Sequence, residues 1–274
     1  MAGTLYLVGT PIGNLGDISE RAVKTLQQVD LIICEDTRHS RPLLERFGIS
    51  RDLISLPAFA EGERADKILS RVAEGGRVAL VTDAGTPAIS DPGEQLVARA
   101  IELGFNVIPI PGPSAAISAL CASGLPTGRF HFLGFLPRSG PERSRLVEEV
   151  AQLRATLIFY ESPRRLHATL VDLHGLLGDR RACVARELTK LHEEFVRGGL
   201  AELAERYAEA EVLGEVVLLV EGRTGEVRWA ESEVLTALQE GLSRGEKLKG
   251  LSKEIAQRAS WSSGDVYRLG LGLK

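Results

Sequence analysis

Short β-rich runs alternate with helix-periodic segments through the first 125 residues, and this alternation constrains the fold more than any other feature. It predicts an α/β layer structure with a mostly parallel sheet. Gly75, Gly76 and Gly104 stand just past helical segments, where a left-handed cap is favoured. The predicted strands are Thr4–Val8, Leu31–Cys34, Val78–Thr82 and Asn106–Ile110, and the predicted helices are Ser19–Gln28, Arg64–Ala73 and Glu94–Leu103.

A second α/β unit follows the turn-rich segment Gly124–Gly128. We therefore expect an N-terminal α/β domain over residues 1–125, a second α/β domain over 126–228 and a small helical domain over 229–274. In the second domain the predicted strands are Phe130–Phe135, Thr156–Tyr160, Cys183–Glu187 and Glu215–Glu221, and the predicted helices are Pro141–Leu153, Pro163–Leu177 and Leu200–Ala208.

The last segment has the pattern of three short helices with a polar turn, similar to a helix-turn-helix unit. Ser263 is positioned to cap the third helix. From Arg244 to Lys274 there are seven Lys or Arg and three Asp or Glu, a local balance of 7 − 3 = +4. Such a basic face is either solvated or a contact for nucleic acid.

Composition narrows the class of protein. The net charge of −4 does not favour a nucleic-acid binder by itself, although binding follows the local charge distribution. Cys34, Cys121 and Cys183 are far apart and lack metal-ligand spacing, so we expect reduced, buried thiols in a cytoplasmic protein and no metal. No apolar run approaches the roughly 18 residues that a membrane helix needs.

Four loops are expected at the carboxyl ends of strands, where open α/β sheets bind ligands. Residues 9–16 include several small residues and lack the phosphate-binding fingerprints. Residues 35–40 are rich in ionisable and hydroxyl groups, of which helix capping explains one or two. Residues 83–93 combine carboxylates with glycine and proline, and residues 111–115 open a helix with free N–H donors. Together they predict a small-molecule pocket lined by backbone, although tight turns alone could explain the first loop.

These loops resemble the tetrapyrrole methylase superfamily of S-adenosylmethionine enzymes and, within it, the ribosomal RNA small subunit methyltransferase I family. The resemblance covers nearly the whole chain and depends on seven motifs in order. Arg164 departs from the family pattern, in which His commonly follows the Ser-Pro pair. The matching stretches are Gly9–Asn14, Cys34–Arg38, Asp83–Gly93, Pro111–Ala115, Phe132–Arg138, Phe159–Pro163 and Arg186–Lys190.

The resemblance implies that S-adenosyl-L-methionine lies in a cleft between the two α/β domains. It implies methylation of a cytidine ribose 2′-oxygen in 16S rRNA of the small ribosomal subunit, with a homodimer as the expected assembly and no membrane partner. The implied cofactor-binding residues are Pro11, Asp83, Gly85, Thr86, Ile89, Ser114, Ala115, Tyr160, Leu188 and Val216.

A ribose hydroxyl is a poor acid, so a positioned base should assist methyl transfer. The catalytic candidates are Glu35, Asp36 and Glu187, ahead of His39 and Lys190. Alternatively, these carboxylates pair with nearby arginines and only shape the cleft. The candidates for binding RNA phosphates, each of which could instead be an ordinary surface residue, are Arg38, Arg41, Arg138, Arg143, Arg145, Arg164 and Arg165.

Two other functions remain open from the sequence. A methylase acting on a tetrapyrrole precursor would use the same fold, although the C-terminal helices and the Phe132–Arg138 stretch argue against it. A non-enzymatic regulator would bind nucleic acid through the C-terminal helices and use the N-terminal loops as a ligand sensor.

Overall fold

The structure, a computed structural model, describes residues 3–224 and 229–273. The chain forms two compact units, which divide between Arg223 and Thr224. The predicted domain boundary at residue 228 lies outside the described residues, and the predicted division at residue 125 stays a prediction. No helix within the described ranges is long and apolar enough to cross a membrane.

The first sheet contains five parallel strands in the order β3-β2-β4-β1-β5. The parallel α/β architecture predicted from the alternation is therefore confirmed. The strands are β1 (Thr4–Val8), β2 (Leu31–Cys34), β3 (Asp52–Ser55), β4 (Arg77–Leu80) and β5 (Asn106–Ile110). The helices are α1 (Glu20–Gln28), α2 (Thr37–Arg46), α3 (Glu61–Ala73) and α4 (Glu94–Glu102).

Helices cover both faces of this sheet, so its central strands are rich in apolar residues. All four residues of β2 are buried. Leu26 and Leu44, from α1 and α2, pack in the core on one face. Leu69 and Leu96, from α3 and α4, pack in the core on the other. This arrangement leaves the carboxyl ends of the strands free to carry loops.

The second sheet also has five strands but is mixed, in the order β6-β7-β10-β8-β9. β6 runs parallel to β7, and the remaining neighbours are antiparallel. The strands are β6 (Phe130–Phe135), β7 (Thr156–Glu161), β8 (Arg181–Arg186), β9 (Glu194–Gly199) and β10 (Val216–Val220). The helices are α5 (Ala115–Ser123), α6 (Pro141–Val150), α7 (Leu166–Leu177) and α8 (Leu200–Arg206).

Helix α5 connects the two halves of the first unit. Although it precedes residue 125, its Ala119 and Leu120 pack in a core with strands of the second sheet. Ile12, from the loop after β1, joins the same core. The loops of the first sheet are thereby held against the second sheet, whose opposite face is covered by α6, α7 and α8.

The unit that begins at Thr224 contains the three helices expected from the sequence, around a core that includes Val234, Leu238 and Ile255. The third helix is capped by Ser262, whose hydroxyl accepts from the Asp265 N–H at 3.0 Å, so the predicted cap at Ser263 was wrong by one residue. The helices are α9 (Glu231–Ser243), α10 (Leu248–Ala259) and α11 (Ser263–Leu271).

The cysteines follow the expectation in part. Cys34 and Cys183 are buried free thiols in the two halves of the first unit. Cys121 is exposed on α5, so its predicted burial was wrong. α5 packs on the second sheet through the face that carries Ala116, Ala119 and Leu120, and position 121 lies outside that face.

Candidate active site

A cavity of about 370 Å³ lies between the two sheets of the first unit. Loops at the carboxyl ends of β1, β4 and β5 form one side. The ends of β6, β7 and β8 and the start of β10 form the other side. The lining residues are Ile12, Ala84, Gly85, Thr86, Ile89, Ser90, Asp91, Ser114, Ala115, Phe135, Tyr160, Glu161, Ser162, Pro163, Leu188, Gly214, Glu215, Val216 and Val217.

Most of the predicted cofactor-binding residues meet in this cavity. Pro11 and Asp83 do not line it, although their sequence neighbours Ile12 and Ala84 do. The eight predicted residues that line it are Gly85, Thr86, Ile89, Ser114, Ala115, Tyr160, Leu188 and Val216. Their roles toward a cofactor remain predictions.

Backbone pairing joins the loops after β1 and β4. The Thr10 N–H donates to the Gly85 carbonyl at 2.8 Å, and the Gly85 N–H donates to the Thr10 carbonyl at 3.2 Å. The buried Thr10 hydroxyl also donates to the Thr82 carbonyl at 3.1 Å. These reciprocal bonds make the two loops one continuous wall of the cavity.

The loops after β1 and β5 approach each other through glycine. A Cβ at Gly9 would lie 2.8 Å from the Gly112 backbone, closer than any side chain tolerates. This contact accounts for glycine in both loops without assigning either residue a ligand.

Carboxylates cluster beside the cavity at the ends of β2 and β4, which are neighbouring strands. Burial, followed by the charges of Asp83, Asp91 and Asp36, raises the pKa of Glu35 above its ordinary value. Burial also raises the pKa of Asp91, against the effect of a 2.7 Å hydrogen bond from the Thr82 hydroxyl. Glu35 is half-buried and Asp91 lines the cavity, so this side favours cationic groups.

Asp36 differs from Glu35 although the two are adjacent. Its carboxylate caps α2 by accepting the Arg38 N–H at 2.8 Å, and it also accepts from the Arg38 guanidinium. These hydrogen bonds lower the pKa of Asp36 to about 2. The alternative that this carboxylate pairs with a nearby arginine therefore describes Asp36.

His39 lies with its Nδ1 2.7 Å from the Asp83 carboxylate. That hydrogen bond, together with the charge of Asp83, raises the pKa of His39. Asp83 is consequently held by His39 at the edge of the carboxylate cluster, and the cavity wall begins at Ala84.

Glu187 follows β8 in a left-handed backbone conformation with φ of 51°. Its carboxylate accepts from the Lys190 ammonium at 2.8 Å and from the Glu215 N–H at 3.0 Å. The hydrogen bond from Lys190 lowers the pKa of Glu187. Lys190 also contacts the Glu215 carboxylate at 3.0 Å, so one ammonium links two carboxylates beside the cavity.

Glu161 has a fully buried side chain, although its residue also lines the cavity. It forms an ion pair with Arg165 at 2.9 Å and accepts from the Thr169 hydroxyl at 2.5 Å. Arg143 extends this network by donating to the Thr169 hydroxyl and to the Asp172 carboxylate, both at 2.9 Å. The network fixes the segment between β7 and α7 that supplies Ser162 and Pro163.

This network includes two predicted phosphate contacts, of which it corrects one. Arg143 is 6% exposed, and its guanidinium donates to Asp172, Thr169 and the Pro137 carbonyl. Arg165 is held by Glu161 and by the Leu136 carbonyl. The Arg143 guanidinium is not available to an RNA backbone, because hydrogen bonds inside the protein occupy all three of its nitrogens. The Arg165 side chain keeps 27% of its surface exposed, and its phosphate contact stays a prediction.

The other predicted phosphate contacts divide into two groups. Arg38 is paired with Asp36, and Arg145 with Glu149 at 3.1 Å. Arg41, Arg138 and Arg164 are exposed, and none of them forms an ion pair with another residue in 3–224 or 229–273. Arg164 directly follows Pro163 of the cavity wall, and Arg138 lies three residues after Phe135.

Sequence reasoning missed eleven lining residues. Ala84, Ser90, Asp91, Glu161, Ser162 and Pro163 lie inside motifs that were recognised, so the motifs themselves could have indicated them. Gly214, Glu215 and Val217 had no local signal, because only the pairing of β10 with β7 and β8 brings them here. Ile12 and Phe135 also lie inside recognised motifs.

Among the described residues, no group of three or more His, Cys, Asp or Glu is arranged to hold a metal ion.

Residues 4–204 match the family described as Tetrapyrrole (Corrin/Porphyrin) Methylases, and the chain belongs to this family. Within it, the chain groups with proteins named Ribosomal RNA small subunit methyltransferase I. The protein of that name from Halalkalibacterium halodurans is 44% identical over 272 residues, covering 97% of this chain and 94% of the relative. The one from Synechocystis sp. is 45% identical over 275 residues, covering 99% of each chain.

A solved structure of diphthine synthase has a TM-score of 0.64 with this chain, at 17% sequence identity. The match covers 81% of this chain and 91% of the other. At this identity the likeness concerns the fold. The comparisons confirm the family and the fold class inferred from the seven motifs.

Proposed function

We propose that this chain transfers a methyl group from S-adenosyl-L-methionine to the 2′-oxygen of a cytidine ribose in 16S rRNA. The observation that carries the proposal is the cavity, in which eight residues implied by the family resemblance meet although they come from five separate segments of the chain. The names of relatives that align along nearly the whole chain support RNA of the small ribosomal subunit as the substrate.

The residues around the cavity fit this methyl donor. A volume of about 370 Å³ is within the range of small-molecule sites. Small residues such as Gly85 and Ala115 let a ligand reach the backbone, and Ile12 and Leu188 supply apolar contacts. Asp91 provides a carboxylate suited to the cationic amino or sulfonium group of the donor.

When bound, S-adenosylmethionine supplies an electrophilic methyl group on a sulfonium sulfur. The protein's main task is to align the ribose oxygen with that methyl group, because alignment removes much of the entropic barrier. As the oxygen–carbon bond forms, the sulfur–carbon bond breaks and the hydroxyl proton leaves. We assign acceptance of that proton to Glu35.

The electrostatics favour Glu35 over the other two candidates. A carboxylate with a raised pKa is a stronger base, and burial raises the pKa of Glu35. The pKa of Asp36 is about 2 because of Arg38, and Lys190 lowers the pKa of Glu187. Asp36 therefore acts as a helix cap, and Glu187 orders the Lys190 and Glu215 side of the cavity.

The proposed RNA contacts are Arg41, Arg138 and Arg164, the predicted phosphate contacts that are exposed and form no ion pair within the described residues. Arg38 and Arg145 stay secondary candidates, because a phosphate would have to displace Asp36 or Glu149. Such contacts would make RNA affinity decrease as salt is added.

The family resemblance also implies a homodimer, which light scattering coupled to size-exclusion chromatography would detect.

The proposal is tested by incubating the purified protein with tritiated S-adenosylmethionine and 30S subunits that lack the modification. We expect label in 16S rRNA and 2′-O-methylcytidine in the nuclease digest, identified by mass spectrometry. Label on a cytosine base, or on another nucleoside, would contradict the 2′-O-cytidine assignment. Incorporation into a corrin or porphyrin precursor instead of 30S subunits would favour the tetrapyrrole methylase, and donor binding without any transfer would favour a regulator.

A further inference from the structure

Phe135 is an aromatic residue that the fold keeps exposed at the cavity. It ends the edge strand β6 and lines the cavity, yet it is 58% exposed. Ile89, from the loop after β4, also lines the cavity and is 50% exposed. Apolar surface therefore continues from the inside of the cavity to its rim.

A β-bulge sets the direction of Phe135. In the pairing of β6 with β7, Phe132 lies opposite Ile158 and Phe135 lies opposite Tyr160. Three steps along β6 thus match two steps along β7, which is the one-residue excess of a bulge. Gly134 supplies the left-handed conformation within it, with φ of 61°.

Without the bulge, Phe132 and Phe135 would point to opposite faces of the sheet, because side chains alternate along a strand. With it, both rings pack edge-to-face against Tyr160, at centroid distances of 4.9 Å and 5.6 Å. The extra residue turns Phe135 away from the opposite face, where Leu133 packs, and toward the cavity. Bulges commonly re-aim a side chain next to an active site.

Two arginines follow segments of the chain that line the cavity together with Phe135. Arg138 follows β6, and Arg164 follows the cavity residue Pro163. Both arginines are exposed and have no ion-pair partner elsewhere in the described ranges. An aromatic ring beside cationic side chains is the combination that binds single-stranded nucleic acid, since the ring stacks a base and the cations hold phosphates.

We propose that Phe135 is a stacking platform for the base of the nucleotide whose ribose is methylated, with Arg138 and Arg164 on the flanking phosphates. This inference rests on the proposed function and adds a substrate subsite to it. The bound base would cover the exposed ring, and the ribose would enter the cavity beyond it. Stacking requires the nucleotide to be unstacked from its RNA neighbours.

The test compares Phe135→Ala, Phe135→Leu and Phe135→Trp with the wild-type chain. Phe130→Ala is the matched control, because Phe130 is a 45%-exposed aromatic at the opposite end of the same strand and does not line the cavity. Two quantities are measured for each variant. One is the dissociation constant for S-adenosylmethionine by calorimetry, and the other is the KM for unmodified 30S subunits in the tritium assay.

We expect Phe135→Ala to raise KM for 30S subunits by about tenfold or more, the effect of losing one stacked base. Donor affinity should stay within about twofold of wild type, a range too small to indicate a lost contact. Phe135→Trp should retain low KM and Phe135→Leu should not, because leucine has no ring. Phe130→Ala should behave as wild type in both measurements.

Four results would overturn the inference. If Phe135→Ala weakens donor binding, Phe135 belongs to the donor site. If Phe135→Leu works as well as Phe135→Trp, the contact is apolar packing without stacking. If KM is unchanged in Phe135→Ala while the wild type methylates 30S subunits, the subsite is wrong and the proposed function stands. A wild-type chain that binds the donor but leaves 30S subunits unlabelled would reject both.

Discussion

Glu35 and Asp36 are adjacent carboxylates whose surroundings shift their pKa values in opposite directions. Burial and neighbouring carboxylates raise the pKa of Glu35, and the hydrogen bonds from Arg38 lower the pKa of Asp36 to about 2. Separated pKa values of this kind commonly distinguish a proton acceptor from a structural carboxylate. The two residues therefore form a natural pair of test and control.

Glu35→Gln should lower kcat for 30S methylation by about 10²–10⁴-fold, the usual contribution of a general base. In the wild type, kcat should rise with pH as Glu35 loses its proton, at a pH above the ordinary glutamate value of 4.5. The pH–rate profile of the variant should lack this rise.

Asp36→Asn is the matched control, since asparagine caps helices about as well as aspartate. Asp36→Asn should keep the rise of kcat with pH and most of the wild-type rate. Methylation by Glu35→Gln at a rate within threefold of wild type would remove Glu35 from the mechanism.

Glu35→Gln should raise the thermal stability of the protein although it lowers the activity. Because the folded-state pKa of Glu35 is raised, the folded protein holds this proton more tightly than the unfolded chain does. Glu35 consequently reduces stability as pH rises from 4.5 through its folded-state pKa, and the loss is complete above that pKa. Glu35→Gln should melt at a higher temperature than wild type at pH 7.5, with a smaller difference at pH 4.5. A lower melting temperature of the variant at pH 7.5, measured by calorimetry, would show that the carboxylate contributes favourable contacts.

Among the secondary-structure elements, the turn before β10 has an unusual steric requirement. Gly214 has φ of +88°, and a Cβ there would overlap the Glu187 carboxylate. Glu187 itself is left-handed, and its carboxylate accepts the Glu215 N–H. The turn and the end of β8 are thus fitted to each other on one wall of the cavity.

Gly214→Ala should be more destabilising than Gly104→Ala, which also has a positive φ (+75°) but no atom within 4 Å of the new Cβ. The control should lose about 1–3 kcal/mol from strain alone. Gly214→Ala should lose more and also weaken S-adenosylmethionine binding, because Glu187 and Glu215 must move. Urea unfolding and calorimetric titration measure the two effects. If both variants lose the same stability and Gly214→Ala leaves donor affinity unchanged, Glu187 and Glu215 can move without disturbing the cavity.

The elements that sequence patterns missed have physical reasons in common. β3 and β9 are edge strands, and both carry charged residues, Asp52 in β3 and Glu194 and Arg197 in β9. Edge strands use such residues to avoid pairing with other chains, which removes the apolar run that identifies a strand. Helix α2 was missed because Pro42 and its charged neighbours are typical of a loop.

The parts of the site formed by loops were predictable from the sequence. The parts that depend on contacts between distant strands or side chains were not. The loops after β1, β4 and β5 were found because turn-forming and polar residues follow apolar runs, and the family resemblance then indicated residues within them. Arg143 was misassigned, since a sequence does not show that Asp172 and Thr169 will enclose a guanidinium. Glu215 was missed as a lining residue for the same reason, because antiparallel pairing brings it to the cavity from a distant part of the chain.

At the scale of the whole molecule, the chain divides into two units that each have a core. Every residue that lines the cavity belongs to the first unit. The second unit contains residues 244–274, which have seven Lys or Arg against three Asp or Glu. Donor binding and RNA binding should therefore separate when the chain is shortened.

A variant that ends at Arg223 should fold and bind S-adenosylmethionine with a dissociation constant within about threefold of the full chain, because its core is separate. Its KM for 30S subunits should rise, and the salt dependence of RNA binding should become shallower as phosphate contacts are lost. Calorimetry, the tritium assay and filter binding between 50 and 200 mM salt measure these quantities. A folded variant that fails to bind the donor would show that the cavity needs the C-terminal helices.

The reciprocal hydrogen bonds between Thr10 and Gly85 have a kinetic consequence. Neither loop can swing outward without breaking bonds to the other, so admission of a ligand on this side requires a concerted opening. The two amide protons should then exchange with deuterated solvent at one shared rate, and an occupied cavity should slow both by the same factor. The rate of that shared opening would set an upper limit on how quickly the demethylated donor leaves the cavity past these two loops.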